Sequence, residues 1–411
     1  MPDAARRPWL TVALLFFCAG LNYGDRTAIS SVFPLLQTEF GMTDVQLGEL
    51  GSFFLWSYAL GSPFAGMLAD RFSRRKLIAG SLAAWSLATL ATGFAQSATQ
   101  LLTIRVVLGL SECAYLPAAV GLIADHHGPL TRGRALGLHL AGLQLGLIAG
   151  GSLAGYLGQH GGWRQPFFVL GAAGLLLSTI CAVFLEDVAE PHAAPKVDAP
   201  SQIKRLLSRP LYQLILLEAM LVSVGTWMFY NWMPLYFSET FHMSLTAAGF
   251  SGTALLQAAA MLAVLGGSAW SDAVAKRSEA MRLLLMAVFY LASAPFLLVF
   301  AVKTTFTWVS VAVVLFAFLR AMGGSNEPPV LCGMLPAKER STAQGLMNTL
   351  NALAGGIGIF AAGLLKKDFG LGGVFAGVSV LMVLAAVVAL AACRLRPLPD
   401  STPPSSCVGT G

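Results

Sequence analysis

Charge is what this chain has least of. Acidic and basic residues make up 11% of its 411 positions, against 56% hydrophobic residues, whereas about a quarter of the residues of a soluble globular domain are charged. That scarcity excludes a water-soluble enzyme or a nucleic-acid-binding domain, and the formal net charge of +6 resides in short loops rather than in a basic patch. A G-x4-G-K-[ST] phosphate loop is missing, as is a soluble domain to hold one, which argues against ATP hydrolysis. No nucleophile constellation and no metal-ligand cluster can be found, so no enzyme activity, cofactor or metal is expected. Cysteine is sparse too: the six, at positions 18, 113, 181, 332, 393 and 407, have no paired spacing and read as reduced packing residues.

What the chain has instead is apolar length. Runs of about twenty or more apolar residues, each able to span a roughly 30 Å hydrocarbon core as a helix, fall at 10–37, 45–69, 76–94, 98–125, 133–157, 165–185, 211–238, 245–270, 282–301, 305–333, 342–365 and 371–392. They predict an all-α membrane protein with twelve transmembrane helices. Its 43 glycines and 20 prolines are tolerated inside such spans, where neighbouring helices satisfy freed backbone groups and small residues allow close packing. The stretch after Arg6-Arg7 is too long for a signal peptide and lacks a small-residue cleavage site, so it reads as an uncleaved first span.

Lysine and arginine fall in alternate loops. One side holds Arg6, Arg7, Arg71, Arg74, Arg75, Lys76, Arg132, Arg134, Lys196, Lys204, Arg205, Arg209, Lys276, Arg277, Arg282, Lys338, Arg340, Arg394 and Arg396; the other has only Arg164, Lys303, Lys366 and Lys367. The positive-inside rule places the first side, with both termini, in the cytoplasm. The expected location is a cell membrane, as a multi-pass protein of the bacterial inner-membrane type.

The longest polar interruption, from Glu186 to Pro210, contains Pro191, Pro195, Pro200 and Pro210 and divides the spans six and six. It reads as a cytoplasmic linker (186–210) between an N-terminal bundle (1–185) and a C-terminal bundle (211–393), with a disordered tail (394–411). The halves echo each other, as parallel six-helix repeats do. Arg132-Gly-Arg-Ala135-Leu-Gly137-Leu138 recurs as Arg340-Ser-Thr-Ala343-Gln-Gly345-Leu346, and Arg105-x3-Gly109-x2-Glu112 recurs as Arg320-x3-Gly324-x2-Glu327.

Two motifs carry more than architecture. Between spans 2 and 3, Gly66-Met-Leu-Ala-Asp70-Arg71-Phe-Ser-Arg74-Arg75-Lys76 resembles the G-x3-D-R-x2-R-R signature of the major facilitator superfamily. Gly66 allows close helix contact, and Asp70 with Arg71 and Arg75 forms a cluster able to latch one end of two rocking bundles; a degenerate copy follows Gly267. Within that superfamily, Asn22-Tyr23-Gly24-Asp25-Arg26, the Arg105/Gly109/Glu112 set, Pro117, and Trp227-x4-Trp232-x-Pro234-x-Tyr236 resemble the anion:cation symporter family. The first two also resemble spinster-type lipid transporters. The resemblance implies two pseudo-symmetric six-helix bundles and a proton-coupled carrier of organic anions such as sugar acids, with a small anion, a proton and the lipid bilayer as partners, no nucleic acid, and function as a monomer.

Charges inside spans give this implication candidate residues, because an ionisable group at bilayer depth costs roughly 2.5–3.5 kcal/mol on insertion scales and usually works where it is found. Arg26 offers a permanent charge and a planar fork for a carboxylate. Asp25 and Glu112 can change charge and are the proton-carrier candidates. Arg105, seven residues before Glu112 on one helix face and about 10 Å along the axis, is the cation expected to pair with Glu112. Substrate contacts are also expected from Tyr58, Gln144, Trp227, Tyr230, Asn231, Asn348 and Asn351, where polar groups have aromatic neighbours. The same side chains could instead be static ion pairs and an aromatic packing layer. Arg320 and Glu327 are unusual charges for a second half and are expected to pair with each other or to face the cavity. Glu218 and His139 read as structural. A proton-driven exporter or lysolipid carrier of the same fold, and a transporter-like sensor that binds without moving its ligand, stay open.

Overall fold

The computed structural model describes residues 8–187, 199–275 and 280–395, and all regular structure among them is helical. The first half comprises α1 (Pro8–Ser31), α2 (Phe33–Phe40), α3 (Asp44–Arg71), α4 (Arg74–Gly93), α5 (Ala98–Glu112), α6 (Tyr115–His126), α7 (Pro129–Gly161) and α8 (Gln165–Phe184). The second comprises α9 (Ala199–Leu207), α10 (Pro210–Phe241), α11 (Leu245–Ala275), α12 (Ala280–Leu297), α13 (Phe306–Gly324), α14 (Glu327–Met334) and α15 (Ala337–Arg394).

Helix ends follow local chemistry. Pro34 in the first turn of α2 cannot continue the hydrogen-bond ladder of α1, so the first span bends there. Gly41, at φ +62°, then turns the chain, and Thr43 with Gln46 forms a capping box that starts α3. The 58 residues of α15 are two helices in series: Gly370, at φ 64° and ψ 166°, occupies a conformation open only to glycine. The arms on either side both return to α10, Gly358 against Val224 and Val378 against Gly225.

Eight helical stretches among the described residues are long and apolar enough to cross a membrane, where the sequence predicts twelve. The difference has two sources. The stretch Glu339–Arg394 counts once although Gly370 divides it, and the first helices carry charged or small residues that dilute their apolar character. The expected linker is also more ordered than its prolines suggest. Its distal part is α9, which buries Leu206 and docks on α15 through Thr342 Oγ1 donating to Gln202 Oε1 at 2.9 Å. The positions 188–198 and the tail beyond 395 lie outside the described residues.

Glycine lets these helices touch backbone to backbone. Along the α1–α7 seam a Cβ at Gly146 would fall 2.2 Å from Gly20 O, and one at Gly150 would fall 2.3 Å from Gly24 O. Neither carbonyl can move without its helix. Gly150→Val is therefore expected to destabilise the first half by about 1–3 kcal/mol or more, read as a lower melting temperature in detergent. Gly80→Val, whose Cβ would meet nothing within 4 Å, is the control, and equal melting of the two would refute the seam's role.

The repeated arginine motif is explained by helix ends. Arg132, entering α7, donates to Ala124 O (3.0 Å) and His127 O (3.2 Å) behind α6, and Arg340, entering α15, donates to Leu335 O (3.0 Å) behind α14. The second motif marks two equivalent breaks: α5 stops at Glu112 before Pro117, and α14 starts at Glu327 before Pro328 and Pro329. Proline is accommodated only in a first turn, which forces both interruptions.

The halves meet at the end away from the basic loops, here called the far end. There α7 lies on α11, with a Cβ at Gly155 2.4 Å from Leu245 O and one at Gly249 2.5 Å from Gly151 O. Gln159 Oε1 accepts from the backbone N–H (3.1 Å) and hydroxyl (2.7 Å) of Thr246. A separate contact joins α3 to α15: Ser52 donates to Gly356 O at 2.8 Å, Trp56 to Leu353 O at 3.2 Å, and Lys366 bridges Asp44 (2.7 Å) and Glu239 (2.6 Å). Toward the basic end, Gly133, Gly137, Gly266 and Gly345 face open space. Among the described residues, the hydrogen bonds, ion pair and close glycine contacts between the halves lie at the far end and none at the basic end.

At the far end Glu39 accepts from Trp163 and pairs with Arg164. Slight burial alone would raise its carboxyl, but the Arg164 and Trp163 hydrogen bonds outweigh that and hold it below the ordinary value.

Candidate substrate-binding cleft

Just beneath the far-end closure lies a narrow cleft, lined by Arg26, Thr27, Gly51, Phe54, Leu55 and Arg105 from the first half and by Trp227, Tyr230, Asn231 and Ile359 from the second. Both halves contribute, so any change in their relative position remakes the site.

Arg26 is its most connected residue. Nε and NH2 of the guanidinium both reach Glu112 Oε2, each at 3.1 Å, and NH2 also donates to Asn22 Oδ1 at 3.0 Å. Its plane lies over the rings of Tyr23 (4.3 Å), Tyr58 (4.8 Å) and Phe54 (5.0 Å), which favours a cation electrostatically. Both charges are deeply buried, Arg26 at 7% and Glu112 at 1% exposure. Only one oxygen of Glu112 is engaged; Oε1 has no hydrogen-bond partner.

The pairing differs from the sequence expectation, which joined Glu112 to Arg105. Those two share a helix, but α5 ends at Glu112, and it is Arg26, reaching across from α1, that takes the carboxylate. Arg105 Nε instead donates to Leu50 O at 3.1 Å, and its guanidinium lies 4.8 Å from the Phe54 ring centre. No carboxylate lies within ion-pair distance of Arg105 among the described residues. Phe54 therefore stands between two cations, and Arg105 is the one with a fork free on the cleft.

Asp25 points elsewhere, as adjacent helical residues must. Its Oδ2 accepts from Thr89 on α4 at 3.0 Å, and Oδ1 is buried without a partner. It sits behind the cleft rather than on its wall.

From the second half, Trp227 packs edge-on against Tyr230 at 5.8 Å, and Asn231 enters through the space left by Gly51, where a Cβ would fall 2.6 Å from its Nδ2. Asn231 Oδ1 is buried and unpartnered, a ready acceptor for a hydroxyl. Tyr58 does not line the cleft but stands behind Arg26 and Phe54, 4.8 Å from the guanidinium and 6.2 Å from the Phe54 ring centre. Gln144, Asn348 and Asn351 are not on its wall: Gln144 is half-buried on α7, Asn348 is exposed and accepts from Gln344 (3.1 Å), and Asn351 O accepts from Ser223 (2.6 Å). The two asparagines sit too near the basic end of α15, whose contribution to the wall comes from Ile359. Thr27, Gly51, Phe54, Leu55 and Ile359 were missed, since nothing in their type or spacing separates them from packing residues.

Of the expected latch, Arg75 ties the start of α4 to the end of α8, its backbone N–H donating to Asp187 (3.0 Å) and its Nε to Ala182 O (3.1 Å). Gly66, Asp70 and Arg71 lie outside the residues whose side chains are described. His139 is a buried packing residue bonded to Leu15 O at 3.2 Å. The cysteines show one pairing that spacing hides: the free, buried thiols of Cys18 on α1 and Cys181 on α8 hydrogen-bond at 3.5 Å between sulfurs.

Comparison with known proteins agrees with this geometry. The family profile described as Major Facilitator Superfamily matches residues 15–359. The chain is 27% identical over 383 residues to the probable galactarate/D-glucarate transporter of Bacillus subtilis (strain 168), covering 84% of this chain and 83% of that one. It is 28% identical over 378 residues to the probable sulfoacetate transporter of Cupriavidus necator, with 87% and 86% covered. A solved bacterial homologue of the human lysosomal transporter Spinster superposes with a TM-score of 0.82 at 21% identity, over 95% of this chain and 98% of that one, a likeness of fold. A helical chain whose two halves close over a charged cleft, and which that profile matches over most of its length, belongs to the Major Facilitator Superfamily.

Proposed function

We propose that the chain is a secondary transporter that carries a small organic anion, a sugar acid or related carboxylate, together with protons by alternating access. The observation that carries this reading is the Arg26–Glu112 pair on the cleft between the halves. An arriving carboxylate competes with Glu112 for the fork of Arg26, with Arg105 as a second anchor. Displaced, Glu112 would be a buried charge without a partner, a state that protonation relieves. Anion and proton are then bound together and released together. Asp25, held by Thr89 behind the same wall, serves as an auxiliary proton group, and Tyr230 and Asn231 meet the hydroxyls of the substrate. The names of the relatives, transporters of galactarate, D-glucarate and sulfoacetate, support an anionic cargo.

In this reading the basic end faces the cytoplasm, so the conformation described is inward-open, and one chain suffices. The Gly66–Arg75 segment would latch that end in the opposite conformation.

Purified protein in liposomes, with an imposed pH gradient and labelled galactarate, D-glucarate or sulfoacetate outside, tests the proposal. Accumulation driven by an acidic exterior is expected. Binding without flux would refute transport in favour of a sensor, and flux only of lysolipid, or only outward, would refute the assigned cargo or direction.

A further inference from the structure

The repeat that supplies Arg105 and Glu112 has a second copy, and its surroundings differ in one respect. In the first half the span-1 helix offers Glu112 a guanidinium, that of Arg26. In the second half, α10 is the helix in the corresponding place, and it offers the equivalent acid, Glu327, another acid: Glu218.

Glu218 is 1% exposed, and neither of its carboxylate oxygens has a hydrogen-bond partner. Glu327 Oε1 and the hydroxyl of Tyr290 on α12 are likewise buried and unpartnered. The three converge. The Tyr290 ring fills the space where a Cβ on Gly323 would sit, 2.7 Å from Cε1, and its hydroxyl lies 3.8 Å from a Cβ on Gly324, at the break that Glu327 follows. The charges of Glu218 and Glu327 act on each other, and Tyr290 is within reach of Glu218 without a formed hydrogen bond. Arg320 on α13 acts electrostatically on Glu327 and Tyr290 but makes no ion pair with Glu327. From α15, which also packs on α10, the neighbouring polar groups are Asn351 and, toward the basic end, Glu339 paired with Arg209 at 2.9 Å.

The charge count decides what the cluster holds. In the first half two guanidiniums, Arg26 and Arg105, balance two carboxylates, Glu112 beside Arg26 and Asp25 behind the cleft, so the charges sum to zero with both acids ionised. In the second, one guanidinium stands against two carboxylates, Glu218 fully buried and Glu327 with one buried, unpartnered oxygen, and like charges so placed cannot both persist. The geometry points to a second proton-carrying site in the second half, with one proton shared between Glu218 and Glu327 beside the hydroxyl of Tyr290. The inference rests on the transport reading for its role in coupling, but the site itself does not.

Infrared difference spectra of the full-length protein in lipid, acidic minus alkaline, test the site without transport. A protonated-carboxyl band that remains in Glu112→Gln and disappears in both Glu218→Gln and Glu327→Gln is expected; its persistence in either of the latter overturns the shared proton. In liposomes, the proton-to-substrate ratio from reversal potentials should drop by about one in each variant, while Tyr290→Phe slows exchange without changing the ratio. A ratio unchanged in both glutamine variants overturns the coupling role. A Na⁺-gradient dependence that these variants abolish, without a carboxyl band, overturns the proton in favour of sodium. If no substrate is transported but the band still titrates as described, the proposed function fails and the proton site stands.

Discussion

Arg26→Ala should abolish binding of a carboxylate substrate while leaving a folded but less stable protein. Two losses combine. The fork that takes the substrate disappears, and truncating one member of a buried charge pair costs about 2–5 kcal/mol of binding, on the order of 30-fold to several thousandfold in affinity. Glu112 is also left without its cation, a defect of about 3–5 kcal/mol in stability where the charge cannot be neutralised. Because both effects start from the contacts of Arg26 with Glu112 Oε2, Arg26→Ala combined with Glu112→Gln should recover melting temperature but not binding. Arg26→Lys keeps the charge without the planar fork and should fall between. Titration calorimetry with galactarate reads the affinity, and wild-type affinity in Arg26→Ala would remove that residue from the site.

Glu112→Gln should separate binding from driving force. Glutamine keeps the shape and an oxygen for Arg26, so the cleft persists, but it cannot carry a proton between the two sides. Each coupled proton converts one unit of pH difference into about tenfold accumulation. Uptake driven by an acidic exterior is expected to fall by about that factor per pH unit, leaving only the accumulation that the second-half site couples. Exchange of labelled for unlabelled substrate across the membrane should continue. Undiminished gradient-driven accumulation in Glu112→Gln would refute the proton role. Asp25→Asn, whose partner is Thr89 and not a cation, should give a smaller effect in the same assay.

How much of this was legible in the sequence depended on whether the signal was local. The apolar runs and the repeated arginine and glutamate patterns are each signals carried by a single stretch of chain, and the helices follow them. Pairing was not local. Arg105 and Glu112 share a face at seven-residue spacing, yet the chain breaks at Glu112, and an arginine 86 positions earlier takes its carboxylate. The wall of the cleft shows the same limit: Gly51 matters because Asn231 from another helix occupies its missing Cβ, and Ile359 because the depth of α15 is set by its contacts with α3. Asn348 and Asn351 have the right chemistry at the wrong depth. Glu218 read as structural because nothing near it in sequence hints at Glu327.

The glycine seam between α7 and α11 bears on how easily the two halves part. Gly151, Gly155 and Gly249 press backbone against backbone there, so separating the helices wets peptide groups that water hydrates readily. Large apolar side chains would instead cost roughly 25 cal/mol for each Å² uncovered. A hinge edge built this way has little stickiness of its own, and the resting balance between its two positions can stay shallow. The few kcal/mol that a bound anion and its protons supply are then enough to tip it.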